Sequence, residues 1–259
     1  MTIDLELDGK RALVTGAGQG VGEGIAHLLA AAGVHVLVND LVAERAEAVA
    51  AAIVAGGGRA QAAPFDVTDH DGVHAVVAAA GPVDILVNNA GNAGGEGWPG
   101  SPPFLETGPA DWARFIDVNL VGVMSCVHAA LPGMIDAGWG RIVTIVSDAG
   151  RTGDANMAAY GAAKAGAAGF SRGIAHEVAR HGITVNNVAL GTMRTPLSEA
   201  FWADPDRSAQ HKAMLGTYLV RRPGEPNDAA WAVISLVTPL ASWVTGQTIP
   251  VNGGYSFAL

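Results

Sequence analysis

Short apolar runs alternate along this chain with longer stretches whose apolar residues recur at helical spacing, and glycines separate the two. Residues 10–15 form an apolar run that ends in a glycine-rich turn, and residues 21–32 continue as an amphipathic helix. The unit then recurs. Residues 34–40 read as a strand and 42–55 as a helix closed by Gly56-Gly57-Gly58, and 59–65 read as a third strand, with a helix starting near Thr68. A fourth strand is predicted over 83–88, a long helix over 109–137, a fifth strand over 141–147, a helix from about 154 to 180, and a sixth strand over 184–190. Strands alternating with helices predict an α/β fold built on a parallel, doubly wound sheet. Such sheets bind ligands at the C-terminal ends of their strands, where Gly16, Asp40, Asp66 and Asn88-Asn89-Ala90-Gly91 fall.

Residues 92–103 break the pattern. Glycine and proline dominate there, so the segment is predicted to be irregular and, leaving the ligand end of the fourth strand, to form one wall of a substrate pocket. An inert surface excursion is the alternative.

Composition narrows the function. At 259 residues, 49% hydrophobic and 15% charged, the chain has ample apolar surface for a core. A net charge of −9 argues against a nucleic-acid partner, because phosphate neutralisation needs clustered lysine and arginine. The single cysteine, Cys126, excludes an internal disulfide and a cysteine-based metal cluster, and its apolar helical setting predicts a buried thiol. The acidic first residues lack the basic flank and apolar core of a signal peptide, and no apolar run reads as a membrane span. The expectation is a soluble cytoplasmic protein without a membrane partner. His70 and His74 are spaced as two ligands on one helix face, but Asp69 and Asp71 flank them; they are read as solvated, and no metal is expected.

The loop Thr15-Gly16-Ala17-Gly18-Gln19-Gly20-Val21-Gly22 joins the first strand to its helix. Glycines there let backbone approach a pyrophosphate, and the amides of the helix N-terminus face the anion. The usual G-x-G-x-x-G spacing is absent, and a plain glycine-rich turn is the alternative. Asp40 closes the second strand, where a dinucleotide fold places a carboxylate for the adenosine ribose. No lysine or arginine stands at 17–21 or 41–43 to meet a 2′-phosphate. These residues favour NAD over NADP; the alternative for Asp40 is a helix cap.

Tyr160 and Lys164 are four residues apart on an alanine-rich helix, in a chain with only three lysines and three tyrosines. That spacing puts them on one face, about 6 Å apart along the axis. A phenol ordinarily titrates near 10, and a neighbouring ammonium is expected to lower that value enough for proton exchange with an alcohol or carbonyl.

These residues, with Asn119, Ser147 and the closing run 245–254, give the chain a pattern that resembles the short-chain dehydrogenase/reductase family, in its single-domain soluble branch, from about residue 8 to 255. The resemblance implies one three-layer α/β/α Rossmann domain over 1–259, with a substrate lid at about 192–220. It implies catalysis by Asn119, Ser147, Tyr160 and Lys164: Tyr160 as acid/base, Lys164 lowering its pKa and holding the nicotinamide ribose, Ser147 binding the substrate oxygen, and Asn119 anchoring a relay water. It further implies that NAD is held by Gly16, Gln19, Gly20, Val21, Gly22, Asp40, Asp66, Val67, Asn89, Ala90, Gly91, Met193 and Thr195, together with Tyr160 and Lys164. The family usually has Pro-Gly after the sixth strand. Leu190-Gly191 stands here, and loss of the proline is expected to loosen the lid.

The expected activity interconverts a secondary alcohol and a ketone. The lid carries Leu197, Phe201, Trp202, Met214 and Leu215, which predicts an apolar substrate, with ordinary helix packing as the alternative. Arg151, Arg194 and Lys212 near the mouth suggest an anionic carrier such as coenzyme A, and the run from Ser147 to Arg151 is similar to hydroxyacyl-CoA and alicyclic-alcohol dehydrogenases. A 3-oxoacyl carrier reductase using NADPH and a non-catalytic dinucleotide-binding protein are the alternatives. The resemblance also implies a homotetramer, assembled through the helix bearing Ala158, Ala162, Ala165 and Ala168 and its preceding neighbour.

Overall fold

The computed structural model describes residues 4–91 and 101–257. Seven strands form one parallel sheet in the order β3-β2-β1-β4-β5-β6-β7. They are β1 (Arg11–Val14), β2 (His35–Val38), β3 (Arg59–Ala62), β4 (Ile85–Asn88), β5 (Gly140–Ser147), β6 (Ile183–Leu190) and β7 (Thr248–Val251). Side chains of successive strand residues point to opposite faces, which the central strands use on both sides. Ala12 and Val14 face one helical layer with Val36 and Val38, while Leu13 and Leu37 face the other.

The first layer holds α1 (Gly20–Ala31), α2 (Ala43–Ala55) and α9 (Pro226–Val237), packed through Ile25, Val49 and Val233. In the chain, the short α7 (Glu199–Trp202) and α8 (Ser208–Gly216) lie between β6 and α9. The second holds α3 (His70–Ala80), α5 (Gly122–Ala137) and α6 (Ala158–Val178), packed through Val73, Val127 and Val178. Each fully buried Val or Leu contributes about 1.5–3 kcal/mol, so both faces of the sheet are anchored. The result is the expected three-layer α/β/α Rossmann fold. The chain runs from β1 outward to β3, then returns to the other side of β1 as β4. That reversal opens a crevice at the C-terminal ends of β1 and β4.

Four details depart from the sequence expectations. The predicted helix over 109–137 is three pieces: α4 (Pro109–Ile116), a π-helical turn (Asp117–Val121) and α5. Its 29 residues are long and apolar enough to cross a membrane, against expectation, but nearly half of the most apolar stretch is buried within the fold. The Tyr160 helix begins at Ala158 rather than near Asp154, because Gly153 and Asn156 adopt left-handed backbone (φ 79° and 66°). Both α9 and β7 went unpredicted; Pro226 at its first turn and the Asp228 carboxylate accepting from the Glu225 amide start α9. Most of the predicted pocket wall over 92–103 lies outside the described residues, as do the last two residues of the chain.

Candidate active site

The glycine loop between β1 and α1 is held from three directions. Thr15 Oγ1 accepts from the Asn89 and Ala90 amides, both at 3.0 Å, tying β1 to the residues after β4. Asn89 Nδ2 donates back to the Thr15 and Gly16 carbonyls. Asn39 Oδ1 accepts from the Gly16 amide, while its Nδ2 donates to the Ala63 and Phe65 carbonyls. The tie to β3 through Asn39 was not anticipated, since only the fold brings its partners together. Gly16 and Gly20 turn the loop with φ near 61° and 62°, a conformation that favours glycine. A side chain at Gly22 would collide with Asn89 Nδ2 and the Gly16 carbonyl.

Gln19 precedes α1 in extended conformation and makes no side-chain cap, so the first-turn amides, Val21 among them, keep their donors for an anion. Thr195 lies over this loop: a Cβ at Gly20 would touch its side chain at 3.4 Å. Loop, uncapped helix end and Thr195 together fit a pyrophosphate.

Asp40 is buried. Its Oδ1 accepts from the Val42 amide at 3.0 Å and its Oδ2 from the Gly18 amide at 3.1 Å. Asp40 does not cap α2, whose N-cap is Val42 and carries no side-chain cap. It instead closes the turn ahead of that helix, and a carboxylate with about four acceptor sites retains capacity for a ribose hydroxyl. Sequence reasoning missed Arg45. It lies outside the positions searched for a cation, yet one turn of α2 brings its Cβ beside Gly18 and the Asp40 carboxylate. Asp66 is exposed and accepts from the Thr68 amide and hydroxyl; Val67 is buried against Gly122.

On the opposite wall, β5 ends at Ser147, whose Oγ accepts from the Ala149 amide at 3.2 Å and also hydrogen-bonds the Tyr160 side chain. Tyr160 and Lys164 share one face of α6, with Nζ 5.9 Å from the phenol ring centroid. Lys164 is buried and donates to the Ile145 carbonyl at 2.9 Å. Phe115 packs its ring edge-on against Tyr160 at 6.3 Å. Asn119 sits in the π-helical turn, a distortion that recurs at functional sites, and donates through Nδ2 to the Phe115 carbonyl at 3.0 Å. Gly91 brings the two walls together: a Cβ there would stand 2.7 Å from Asn119 Oδ1 and 3.2 Å from Lys164 Nζ.

The expected electrostatics are reversed. Burial pushes the Tyr160 phenol above its ordinary value, the Ser147 hydrogen bond opposes this, and the Asp154 carboxylate adds to the rise. Burial also pulls the Lys164 ammonium down to about 8. Desolvation, which disfavours charge on either group, is the largest cause of both shifts.

The loop after β6, which lacks the family's usual proline, is tied by side-chain and backbone hydrogen bonds. Tyr218 Oη accepts from the Thr192 amide at 3.0 Å and donates to the Thr192 hydroxyl at 2.9 Å. Met193 pairs with Gly224, and Thr195 is closed by Ser198. A cavity of about 300 Å³ lies behind this loop, lined by Met193, Tyr218, Val220 and Gly253. It does not reach Tyr160, so the reactive crevice is the one defined by Ser147, Tyr160 and Gly91. In the lid, Leu197 is exposed, while Phe201 and Trp202 turn onto His211 and one another. Two of the three cations proposed for an anionic carrier are engaged within the chain: Arg151 with Asp148, and Arg194 with Glu199.

Away from this site, the fold places His128 of α5 beside His70 and His74 of α3, a juxtaposition that the spacing of the pair alone does not reveal.

Comparison with known proteins agrees with the geometry. Residues 10–206 match the short chain dehydrogenase family model. The chain belongs to the short-chain dehydrogenase/reductase family, whose members are oxidoreductases working with a pyridine nucleotide. It is 41% identical over 249 residues to the cis-4-hydroxycyclohexanecarboxylate dehydrogenase of Sinomonas cyclohexanicum, covering 95% of this chain and 96% of that one. It is 38% identical over 249 residues to a 3-oxoacyl-[acyl-carrier-protein] reductase of Synechocystis sp., covering 94% and 95%. Among solved structures, the gluconate 5-dehydrogenase of Burkholderia cenocepacia in complex with NADP and tartrate superposes with a TM-score of 0.89 at 33% identity, covering 99% and 98%.

Proposed function

We propose that this oxidoreductase uses NAD to interconvert a secondary alcohol and a ketone, with Tyr160 as the acid/base. The observation that carries the reading is the convergence of Ser147, Tyr160, Lys164 and Asn119 beside Gly91. The bound nicotinamide would supply hydride transfer. The chain's own residues handle the proton. In oxidation the Tyr160 phenolate takes the hydroxyl proton as the carbinol hydride departs; in reduction the phenol returns it to the carbonyl oxygen. Ser147 Oγ holds that oxygen, and Lys164 and Asn119 orient a water that reconnects Tyr160 to solvent. Gly16, Gln19, Gly20, Val21 and Gly22 would receive the pyrophosphate, Asp40 the adenosine ribose, Asp66 and Val67 the adenine, and Asn89, Ala90, Gly91, Met193 and Thr195 the nicotinamide half.

Similarity to the Sinomonas dehydrogenase supports an alicyclic alcohol as substrate, and the internal pairing of Arg151 and Arg194 weakens the case for a coenzyme A thioester. The second reading is an NADPH-dependent 3-oxoacyl carrier reductase. Arg45 beside Gly18 favours it, as does the Synechocystis relative.

Assembly as a homotetramer is proposed through α6 and α5. Ala158, Ala162 and Ala165 are exposed on α6, and Val121, Met124 and Ile135 give the preceding helical stretch an exposed apolar face. Ala168, expected on the same stripe, instead packs inward against Val146 and Ala189.

Tyr160→Phe tests the function. It should abolish turnover on cis-4-hydroxycyclohexanecarboxylate or a related secondary alcohol while dinucleotide binding persists. A fully active Phe variant would remove Tyr160 from the reaction.

A further inference from the structure

We propose that His70, His74 and His128 form a surface site for a divalent transition-metal ion, Zn²⁺ foremost, that staples α3 to α5. One ring nitrogen from each of the three lies within 4.8 Å of the others. His74 Nε2 and His128 Nδ1 are already 3.0 Å apart. Tetrahedral zinc with zinc–nitrogen bonds of about 2.0–2.1 Å sets neighbouring ligand nitrogens about 3.3 Å apart, so small rotations of these partly exposed rings suffice.

The backbone beneath them is rigid. Val73 and Val77 of α3 pack in one apolar cluster with Val123, Cys126 and Val127 of α5. Folding has therefore already met the cost of bringing the two helices together. The Ser125 hydroxyl stands 3.3 Å from His70 Nδ1, a partner of the kind that orients a ligating imidazole. In the metal-free protein His74 Nε2 and His128 Nδ1 face each other at hydrogen-bond distance, and the metal would replace that contact with bonds to both rings. Three imidazoles suit zinc, copper or nickel and discriminate against magnesium, which demands oxygen ligands. A water would complete the coordination.

The site is independent of the dehydrogenase reading. The experiment is calorimetric titration of the tag-free, chelator-stripped chain with ZnCl₂. One equivalent should bind with a Kd on the order of micromolar. His74→Ala and His128→Ala should each weaken binding at least about tenfold, whereas His27→Ala should leave it unchanged. Zn²⁺ should also raise the melting temperature of the unsubstituted chain and Mg²⁺ should not, a readout that needs no variant. Binding weaker than about 1 mM, binding that survives both substitutions, or equal stabilisation by the two ions would overturn the proposal. Dehydrogenase turnover should be the same in His128→Ala as in the parent.

Discussion

Asn252 Nδ2 donates to Asp148 Oδ2 at 2.6 Å, joining residues 104 positions apart in the chain. Asp148 directly follows Ser147 and is buried. Its other oxygen accepts from Arg151 Nη1 at 2.6 Å and from the Ser256 hydroxyl at 2.9 Å. Arg151 also donates to the Phe257 carbonyl. The segment after β5 is thus clamped to the C-terminal residues, and Ser147 is fixed from its far side.

Replacing Asp148 with Ala leaves a largely buried guanidinium without its counter-charge, which costs about 3–5 kcal/mol. Ser256→Ala removes three hydrogen bonds, the one its hydroxyl donates to Asp148 and the two it accepts from Arg151 and Asn252, and should cost about 1–3 kcal/mol. Urea unfolding midpoints measure both. An Asp148→Ala variant as stable as the parent would mean that the clamp contributes nothing.

Gly91→Ala examines the meeting point of the two walls. The added methyl would stand 2.7 Å from Asn119 Oδ1, and neither the π-helical turn nor the buried Lys164 can retreat without disturbing the other. Overpacking of this kind costs about 1–3 kcal/mol, and an ångström of misplacement reduces turnover by about a hundredfold. Steady-state kinetics should show the loss in kcat while dinucleotide affinity falls less. Unchanged kcat would show that the Asn119–Lys164 geometry tolerates movement.

Lys164 gives a pH-dependent stability. The unfolded chain keeps this ammonium protonated to about 10.5, whereas the folded chain releases it near 8. Between those values the unfolded state binds the extra proton, so stability rises with pH across that window. Below pH 8 the full cost of burying the charge is present. Lys164→Met should therefore be inactive yet more stable than the parent at pH 7, by about 1–3 kcal/mol after losing the bond to Ile145. The advantage should shrink toward pH 10. Denaturant titrations at the two pH values check this, and a stability difference independent of pH would refute it.

A raised Tyr160 pKa makes the phenol the resting form at neutral pH. Ketone reduction, which consumes a phenolic proton, should proceed there without a deprotonation step. Alcohol oxidation needs the phenolate, so its kcat/KM should climb by up to about tenfold per pH unit between roughly pH 7 and 10. Profiles measured in both directions decide this. An oxidation rate flat over that range would show that proton removal from Tyr160 does not limit the reaction.

These residues also show what was legible in the sequence. Gly16, Gly20 and the Tyr160–Lys164 pair were readable because their geometry is local: a turn needs glycine, and a helix sets the spacing of side chains four apart. The alternation of strand and helix was readable from periodicity for the same reason. Arg45, the Asn39 tie and His128 were not, since each acts on a partner brought near only by the folded chain. The reversed electrostatics of Tyr160 and Lys164 were hidden too, because burial is a property of the packed sheet and not of the motif. Asn119 was placed on a regular helix; the π-helical turn that aims it is invisible to a periodicity reading.

Cofactor choice turns on two side chains with opposite preferences. The buried carboxylate of Asp40 would accept from a ribose hydroxyl and repel a 2′-phosphate, whereas Arg45, exposed one turn into α2, would attract that phosphate. Asp40 has the advantage of being fixed: two backbone amides hold its oxygens. A flexible arginine at the surface is screened and contributes about 1 kcal/mol or less to a charge pair. The parent should therefore prefer NAD by kcat/KM. Asp40→Ala should relax the preference by at least about tenfold, a difference of about 1.4 kcal/mol, and Arg45→Ala should lower activity with NADP while sparing activity with NAD. A parent that prefers NADP, with a preference abolished by Arg45→Ala, would replace the NAD reading with the carrier-reductase one.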